Sequence, residues 1–183
     1  MACKFSLYSQ RKFSTIWKEV STYFLDAIKI VIEIRNFLSK EECNYYINFF
    51  DINESRSVYY NKRKKLEIRS LLNEDIHIKK LISKYSVIYP GHYISNFEIL
   101  KWPVGEYHDW HDDTIYYDKT TITYLNQNYD GGRTMVDNYS VEPEIGKIIL
   151  FDANVKHKVS VLTKGDRYVM LAWYNSIMKK SKK

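Results

Sequence analysis

Residues 147–174, KIILFDANVKHKVSVLTKGDRYVMLAWY, hold three strand-like runs in twenty-eight positions: Lys147 to Phe151, His157 to Leu162 and Arg167 to Tyr174. Lys164-Gly-Asp166 supplies turn chemistry between the last two. Short strands at this spacing predict a sandwich or barrel. The same texture extends towards the N-terminus through Arg133 to Val136, Thr120 to Leu125 and Ile94 to Trp102, punctuated by Asp130-Gly-Gly132 and Glu142-Pro-Glu-Ile-Gly146. Before residue 90 the pattern is helical. Ser39-Lys-Glu-Glu42 is a capping box, and Cys43, Tyr46, Ile47 and Phe50 follow as one apolar stripe until 51–57 breaks it. A second helix is predicted from near Asn73, carrying Ile78, Leu81, Ile82 and Tyr85 up to Pro90-Gly91. Between the helices, Val58-Tyr-Tyr60 and Leu66-Glu-Ile68 read as two short strands around an exposed basic turn, a mobile flap. Helices first and strands after predict a mainly β fold: a jelly-roll core, or double-stranded β-helix, buttressed by N-terminal helices. One domain is expected, with helical support over about 1–90, the jelly-roll core over about 91–175 and a basic tail at 176–183.

Composition agrees with a single core: of 183 residues, 45% are hydrophobic and 16% aromatic. The formal charge of +6 is concentrated in Lys62, Arg63, Lys64 and Lys65 and in Lys179, Lys180, Lys182 and Lys183; setting those eight aside turns +6 into −2. The body is therefore no basic nucleic-acid surface. With only Cys3 and Cys43, a disulfide framework is not expected, and a reducing, cytoplasmic compartment is. Asp26, Lys29 and Glu33 interrupt the apolar stretch from Phe24 to Ile34, which excludes it as a membrane span. The first eighteen residues are basic and free of acids, a faint transit-peptide character set against the cytoplasmic expectation.

Residues 107–113, YHDWHDD, concentrate the chemistry. His111 and Asp113 are two apart, so in extended backbone both side chains reach one ion from one strand end. His157, between two predicted strands, is a third candidate ligand. Two histidines and one carboxylate on one side of a metal leave the opposite positions open, the arrangement of non-haem Fe(II) oxygenases. Arg167 opens a core-type strand and requires an anionic partner there.

With these residues in place, the sequence resembles the Fe(II)/2-oxoglutarate-dependent dioxygenases of the prolyl 4-hydroxylase-like group. The likeness runs in order through Gly105-Glu-Tyr-His-Asp-Trp-His-Asp-Asp113, Thr121-Ile-Thr-Tyr-Leu-Asn126, Gly131-Gly-Arg-Thr134, Pro143 to Gly146, Phe151, His157, Thr163-Lys-Gly-Asp-Arg167 and Trp173. It covers about residues 93 to 174, and a weaker match covers Phe37 to Asn44. The resemblance implies that His111, Asp113 and His157 hold Fe(II), which 2-oxoglutarate chelates. Arg167 pairs with the distal carboxylate of 2-oxoglutarate, and Tyr124 donates a hydrogen bond to it. A guanidinium fork suits a carboxylate, and a phenol adds a donor without charge. O2 completes the reactants, with ascorbate as an optional reductant. Trp102 stands where a tyrosine is common and removes a hydroxyl contact. Trp102, His108, Asn126, Trp173 and Arg63 are candidate pocket or substrate residues. Strand alternation is expected to aim His108 away from the metal, into a packing role. Asp109 and Asp112 are expected to be solvated or to orient a ligand imidazole. Trp110 is expected as pocket wall, and His77 and His92 as structural.

The leading expectation is hydroxylation of a residue, with proline as the candidate, in a polypeptide, releasing succinate and carbon dioxide. Oxidation of a free amino acid or other small molecule is the alternative. Nucleic-acid demethylation and a noncatalytic binding module rank lower. No membrane association is expected, and the oligomeric state is left open.

Overall fold

The computed structural model describes residues 31–60, 62–68, 71 and 75–178. The strands are β1 (Val31–Ile34), β2 (Val58–Tyr60), β3 (Arg63–Glu67), β4 (His92–Trp102), β5 (His108–His111), β6 (Lys119–Tyr124), β7 (Asp130–Gly131), β8 (Thr134–Val136), β9 (Tyr139–Ser140), β10 (Ile148–Asp152), β11 (His157–Val159), β12 (Leu162–Lys164) and β13 (Arg167–Ser176). Helices α1 (Lys40–Ile52) and α2 (Ile76–Ser86) precede β4. A seven-stranded sheet, β1-β10-β6-β13-β4-β3-β2, lies over a four-stranded sheet, β5-β11-β8-β9, and β12 pairs with β7. All these pairings are antiparallel. This is the mainly β jelly-roll architecture expected from the strand pattern.

Strand alternation gives the large sheet two different faces. One carries Leu66, Phe97, Ile99, Met170, Ala172 and Tyr174 against the stripe Cys43, Tyr46 and Phe50 of α1 and Ile78, Leu81 and Tyr85 of α2. Ser39 caps α1 as its pattern predicts, accepting from the Glu42 amide while the Glu42 carboxylate accepts from the Ser39 amide. That helix runs to Ile52, past the expected break at Asp51. The other face, with Leu100, Trp102, Ile122, Tyr124, Ile149, Phe151 and Val169, packs on Val136 and Val159 of the small sheet. The space between the sheets is where the predicted site residues meet.

Two expectations about the chain course need correction. The run His157 to Leu162 is two strands, β11 and β12, which join different partners. The last four residues of the stretch Phe24 to Ile34 form edge strand β1, paired with β10. The basic cluster is no exposed turn. Arg63, Lys64 and Lys65 lie in β3, with Lys64 opposite Lys101 of β4, and Arg63 is only 2% exposed. Alternation divides the cluster: Lys64 pairs with Glu54 at 2.8 Å, and Arg63 turns inward beside Trp102. The basic tail from 179 and the basic N-terminal segment lie outside the described residues.

Candidate active site

His111 ends β5, Asp113 follows it, and His157 begins β11 directly opposite His111 in the small sheet. One ligand atom from each of the three comes within 4.8 Å of the others. Both imidazoles are held the same way. The ring Nδ1 of His111 meets the Asp109 carbonyl at 2.8 Å, and that of His157 meets the Val155 carbonyl at 3.0 Å. A carbonyl only accepts, so it places the proton on Nδ1 and leaves the Nε2 lone pair free. Burial pushes the His157 pKa down, which favours the neutral ring a metal needs. Asp113 is aimed by two donors to Oδ2, Thr120 Oγ1 at 2.8 Å and Trp173 Nε1 at 2.9 Å. Trp173 therefore touches the carboxylate itself, while its ring stacks on Tyr117 at 5.3 Å.

His108 departs from its expected direction. Its ring lies 3.7 Å from that of His111, centre to centre. The cause is a bulge: His111 faces His157 and His108 faces Val159, so three steps along β5 match two along β11. An extra residue breaks the alternation and brings positions 108 and 111 to one side. Burial, then His111 and Arg63, push the His108 pKa down to about 3.

Beyond the histidines lies a buried cluster rich in donors. Arg167 is 1% exposed, and Nη2 reaches Thr134 Oγ1 at 3.0 Å. Its Nε and Nη1 have no hydrogen-bond partner, and neither do Tyr124 Oη, Tyr129 Oη, Trp102 Nε1 and Arg63 Nε and Nη2. These are all the unpartnered buried side-chain polar atoms among the described residues, and they adjoin one another. The Arg167 guanidinium carbon lies 5.1 Å from the Trp102 ring centre and 5.7 Å from that of Tyr124, and Arg63 lies 4.4 Å from Trp102. Every one of these atoms can donate, and the five nitrogens can only donate. Desolvation raises the pKa of Tyr124 and Tyr129 against the pull of nearby Arg167, keeping both phenols protonated. Gly132 allows this closure: a Cβ there would come within 2.8 Å of Leu162 Cδ1 and 3.1 Å of Arg167 Cδ, at a φ of +58°.

Other predicted residues lie elsewhere. The Asn126 amide is spent inside the fold, donating to Asn128 and to the Asp166 carbonyl and accepting from the Tyr168 amide, so its expected pocket role is corrected to a turn-holding one. Trp110 is no wall: it faces out, 45% exposed, beneath Lys158. The Asp109 carbonyl, not its carboxylate, orients His111. Asp112 caps its own turn through Thr114. Sequence reasoning missed Thr120, Tyr129, Thr134 and Glu106. Thr120 carried a signal, since it shares a strand face with Tyr124 four residues on.

Residues 97–175 match the 2OG-Fe(II) oxygenase superfamily. No curated protein matches the chain. A prolyl hydroxylase from Trichoplax adhaerens, solved with a hypoxia-inducible-factor peptide fragment, superposes with a TM-score of 0.68 at 17% identity, covering 98% of this chain and 99% of that one. A Pseudomonas putida prolyl-4-hydroxylase gives 0.67 at 15% identity, with 89% and 98% covered. The non-haem α-ketoglutarate-dependent epimerase SnoN of nogalamycin biosynthesis gives 0.69 at 13% identity, with 89% and 83% covered. At these identities the likenesses establish the jelly-roll fold, which hosts more than one chemistry. The superfamily implies Fe(II), 2-oxoglutarate and O2. The residues present fit those groups: three convergent ligand atoms for a metal, and orphaned buried donors for a carboxylate.

Proposed function

We propose that the chain, whose residues 97–175 match the 2OG-Fe(II) oxygenase superfamily, is a 2-oxoglutarate- and Fe(II)-dependent oxygenase that hydroxylates a residue, with proline as the candidate, in a polypeptide. His111, Asp113 and His157 would hold the metal through the two Nε2 atoms and the carboxylate, and such a metal would supply binding of 2-oxoglutarate and O2. When bound, the metal and cosubstrate supply the oxidation: one oxygen atom of O2 enters the substrate C–H bond, the other enters succinate, and carbon dioxide leaves. The protein contributes positioning. Thr120 and Trp173 fix the Asp113 carboxylate, the carbonyls of residues 109 and 155 fix the imidazole tautomers, and Arg167 with Tyr124 takes the distal carboxylate of 2-oxoglutarate. The observation that carries the cosubstrate assignment is the set of orphaned buried donors around Arg167.

Support for a polypeptide comes from the apolar surface on the segments that deliver the site. Tyr60, which meets Arg63, and Tyr107, Ile115 and Tyr116, which flank the proposed ligands in sequence, are all exposed. Aromatic side chains on an accessible rim suit an extended peptide better than a small molecule enclosed in a pocket. The solved relative with a bound peptide fragment is consistent with this reading. No helix among the described residues is long and apolar enough to cross a membrane, and Cys43 is a buried free thiol, which suits a reducing compartment.

The test is succinate release by the Fe(II)-loaded protein, measured with proline-containing peptides and with free amino acids. Stimulation by peptides alone is expected. Equal or greater stimulation by a free amino acid would replace the peptide reading with the small-molecule one.

A further inference from the structure

Arg63 has no role in the chemistry above, yet it is as thoroughly buried as Arg167. Its Nε lies 3.9 Å from Glu106 Oε2, too far for a hydrogen bond, and its Nε and Nη2 atoms are unpartnered. A buried guanidinium with two idle donors is costly unless a ligand uses them. The register explains its position. Trp102 pairs with Arg167 across β4 and β13, and Lys101 pairs with Lys64 across β4 and β3, so Arg63 and Arg167 flank one indole from neighbouring strands. The two flanks differ. On the Arg167 side stand Thr134, Tyr124 and Tyr129. Arg63 instead lies beside Glu106, two residues before His108, whose ring is 6.5 Å from that of Trp102 and 3.7 Å from that of the proposed metal ligand His111. Arg63 thus faces the half of the pocket nearer the metal.

We infer that Arg63 is a second clamp for the keto-acid cosubstrate, gripping the carboxylate next to the keto group while Arg167 grips the distal one. The inference rests on the function proposed above. Trp102 lacks the hydroxyl that a tyrosine would bring to this position, and the Arg63 donors stand beside it. Charge favours the cosubstrate over a substrate acid. Arg63, Arg167 and a divalent ion are balanced by Asp113, Glu106 and a dianionic keto acid, and a further carboxylate would leave the pocket net negative.

The experiment compares two ligands in anaerobic calorimetric titrations of the Mn(II)-loaded protein: 2-oxoglutarate, and 2-oxopentanoate, which has the same keto-acid end and no distal carboxylate. Arg63→Gln is expected to weaken both by the same factor, roughly ten- to a hundredfold. Arg63→Lys should recover part of that loss for both. Arg167→Gln should weaken 2-oxoglutarate alone. A loss in Arg63→Gln confined to 2-oxoglutarate, or no loss for either ligand, overturns the assignment. Loss of Mn(II) binding in that variant also overturns it, because Arg63 would then act through His108 and His111. Wild-type protein that binds Mn(II) and neither keto acid overturns the proposed function as well.

Discussion

The two faces of the large sheet bury polar side chains in opposite ways. On the helix-backed face, Tyr85 Oη bonds Thr123 and contacts Met170 Sδ, Tyr174 Oη donates to the Tyr85 carbonyl at 3.2 Å, and Thr121 donates to the Ala172 carbonyl at 3.1 Å. On the site face, Arg63, Trp102, Tyr124 and Arg167, with Tyr129 beside them, leave seven donor atoms without partners. Both faces belong to the same strands, often to adjacent residues: Thr123 is satisfied and Tyr124 is not. An unmet buried donor costs about 1–3 kcal/mol. Among the described residues the cost is concentrated on the site face, which reserves that face for a ligand rich in acceptors. The comparison predicts that mutations on the site face hurt function more than stability, and those on the helix face the reverse.

The largest effect should come from the proposed metal ligands. His111→Ala, Asp113→Ala and His157→Ala should each abolish Fe(II)-dependent turnover with the fold intact by circular dichroism, because each removes one of only three protein ligands. Turnover by Asp113→Ala at the wild-type rate would break the site assignment.

Arg167→Met sharpens the contrast. It should weaken 2-oxoglutarate binding by about 2–5 kcal/mol, or roughly 30- to several-thousand-fold. It should also leave the ligand-free protein as stable as before or more so, since the substitution removes an under-satisfied buried charge. Denaturant unfolding of ligand-free protein measures this, and a large destabilisation would mean that Arg167 is structural. A smaller matched pair follows. Tyr124→Phe should cost about 0.5–1.5 kcal/mol of 2-oxoglutarate affinity and no stability. Tyr85→Phe should leave affinity unchanged and cost about 1–3 kcal/mol of stability, because Thr123 is then stranded in the core. If both tyrosine variants lost stability equally, the two faces would not differ in the way described.

Much of this was legible in the sequence, for identifiable reasons. Period-two runs and Gly-rich turns marked β4, β6, β8, β10 and β13, and the Ser39–Glu42 box marked α1, because these signals are local. Spacing paired His111 with Asp113 and offered His157 only as a candidate third ligand, to which the resemblance added weight, since residues 113 and 157 are brought together by sheet pairing that no local pattern encodes. What failed was also non-local. The bulge that turns His108 towards His111 depends on the match of β5 to β11. The inward turn of Arg63 depends on β3 joining β4, which makes a strand of residues that read as a charged turn. The orienting carbonyls at 109 and 155 carry no side-chain signature.

His108 gives the smallest and most specific test, because it sets a titratable ring among the site-face donors. Burial first, and then His111 and Arg63, hold its folded-state pKa at about 3, against about 6.5 in an unfolded chain. Above pH 6.5 both states are neutral at this ring, and it contributes nothing to the pH dependence of stability. As pH falls below 6.5 the unfolded chain takes up a proton that the folded ring refuses, so folding stability declines until the folded ring itself titrates. The slope is about 1.4 kcal/mol per pH unit for a fully shifted group, and the partial exposure of this one trims it. Metal-free His108→Phe should therefore lose about 1 kcal/mol less than wild type between pH 7.5 and 5.5 in urea unfolding. His157 shifts in the same direction but is present in both proteins, so it drops out of the difference. Parallel pH profiles would mean that His108 is solvated in the folded protein, contrary to a ring set against His111 beside a cluster of buried donors.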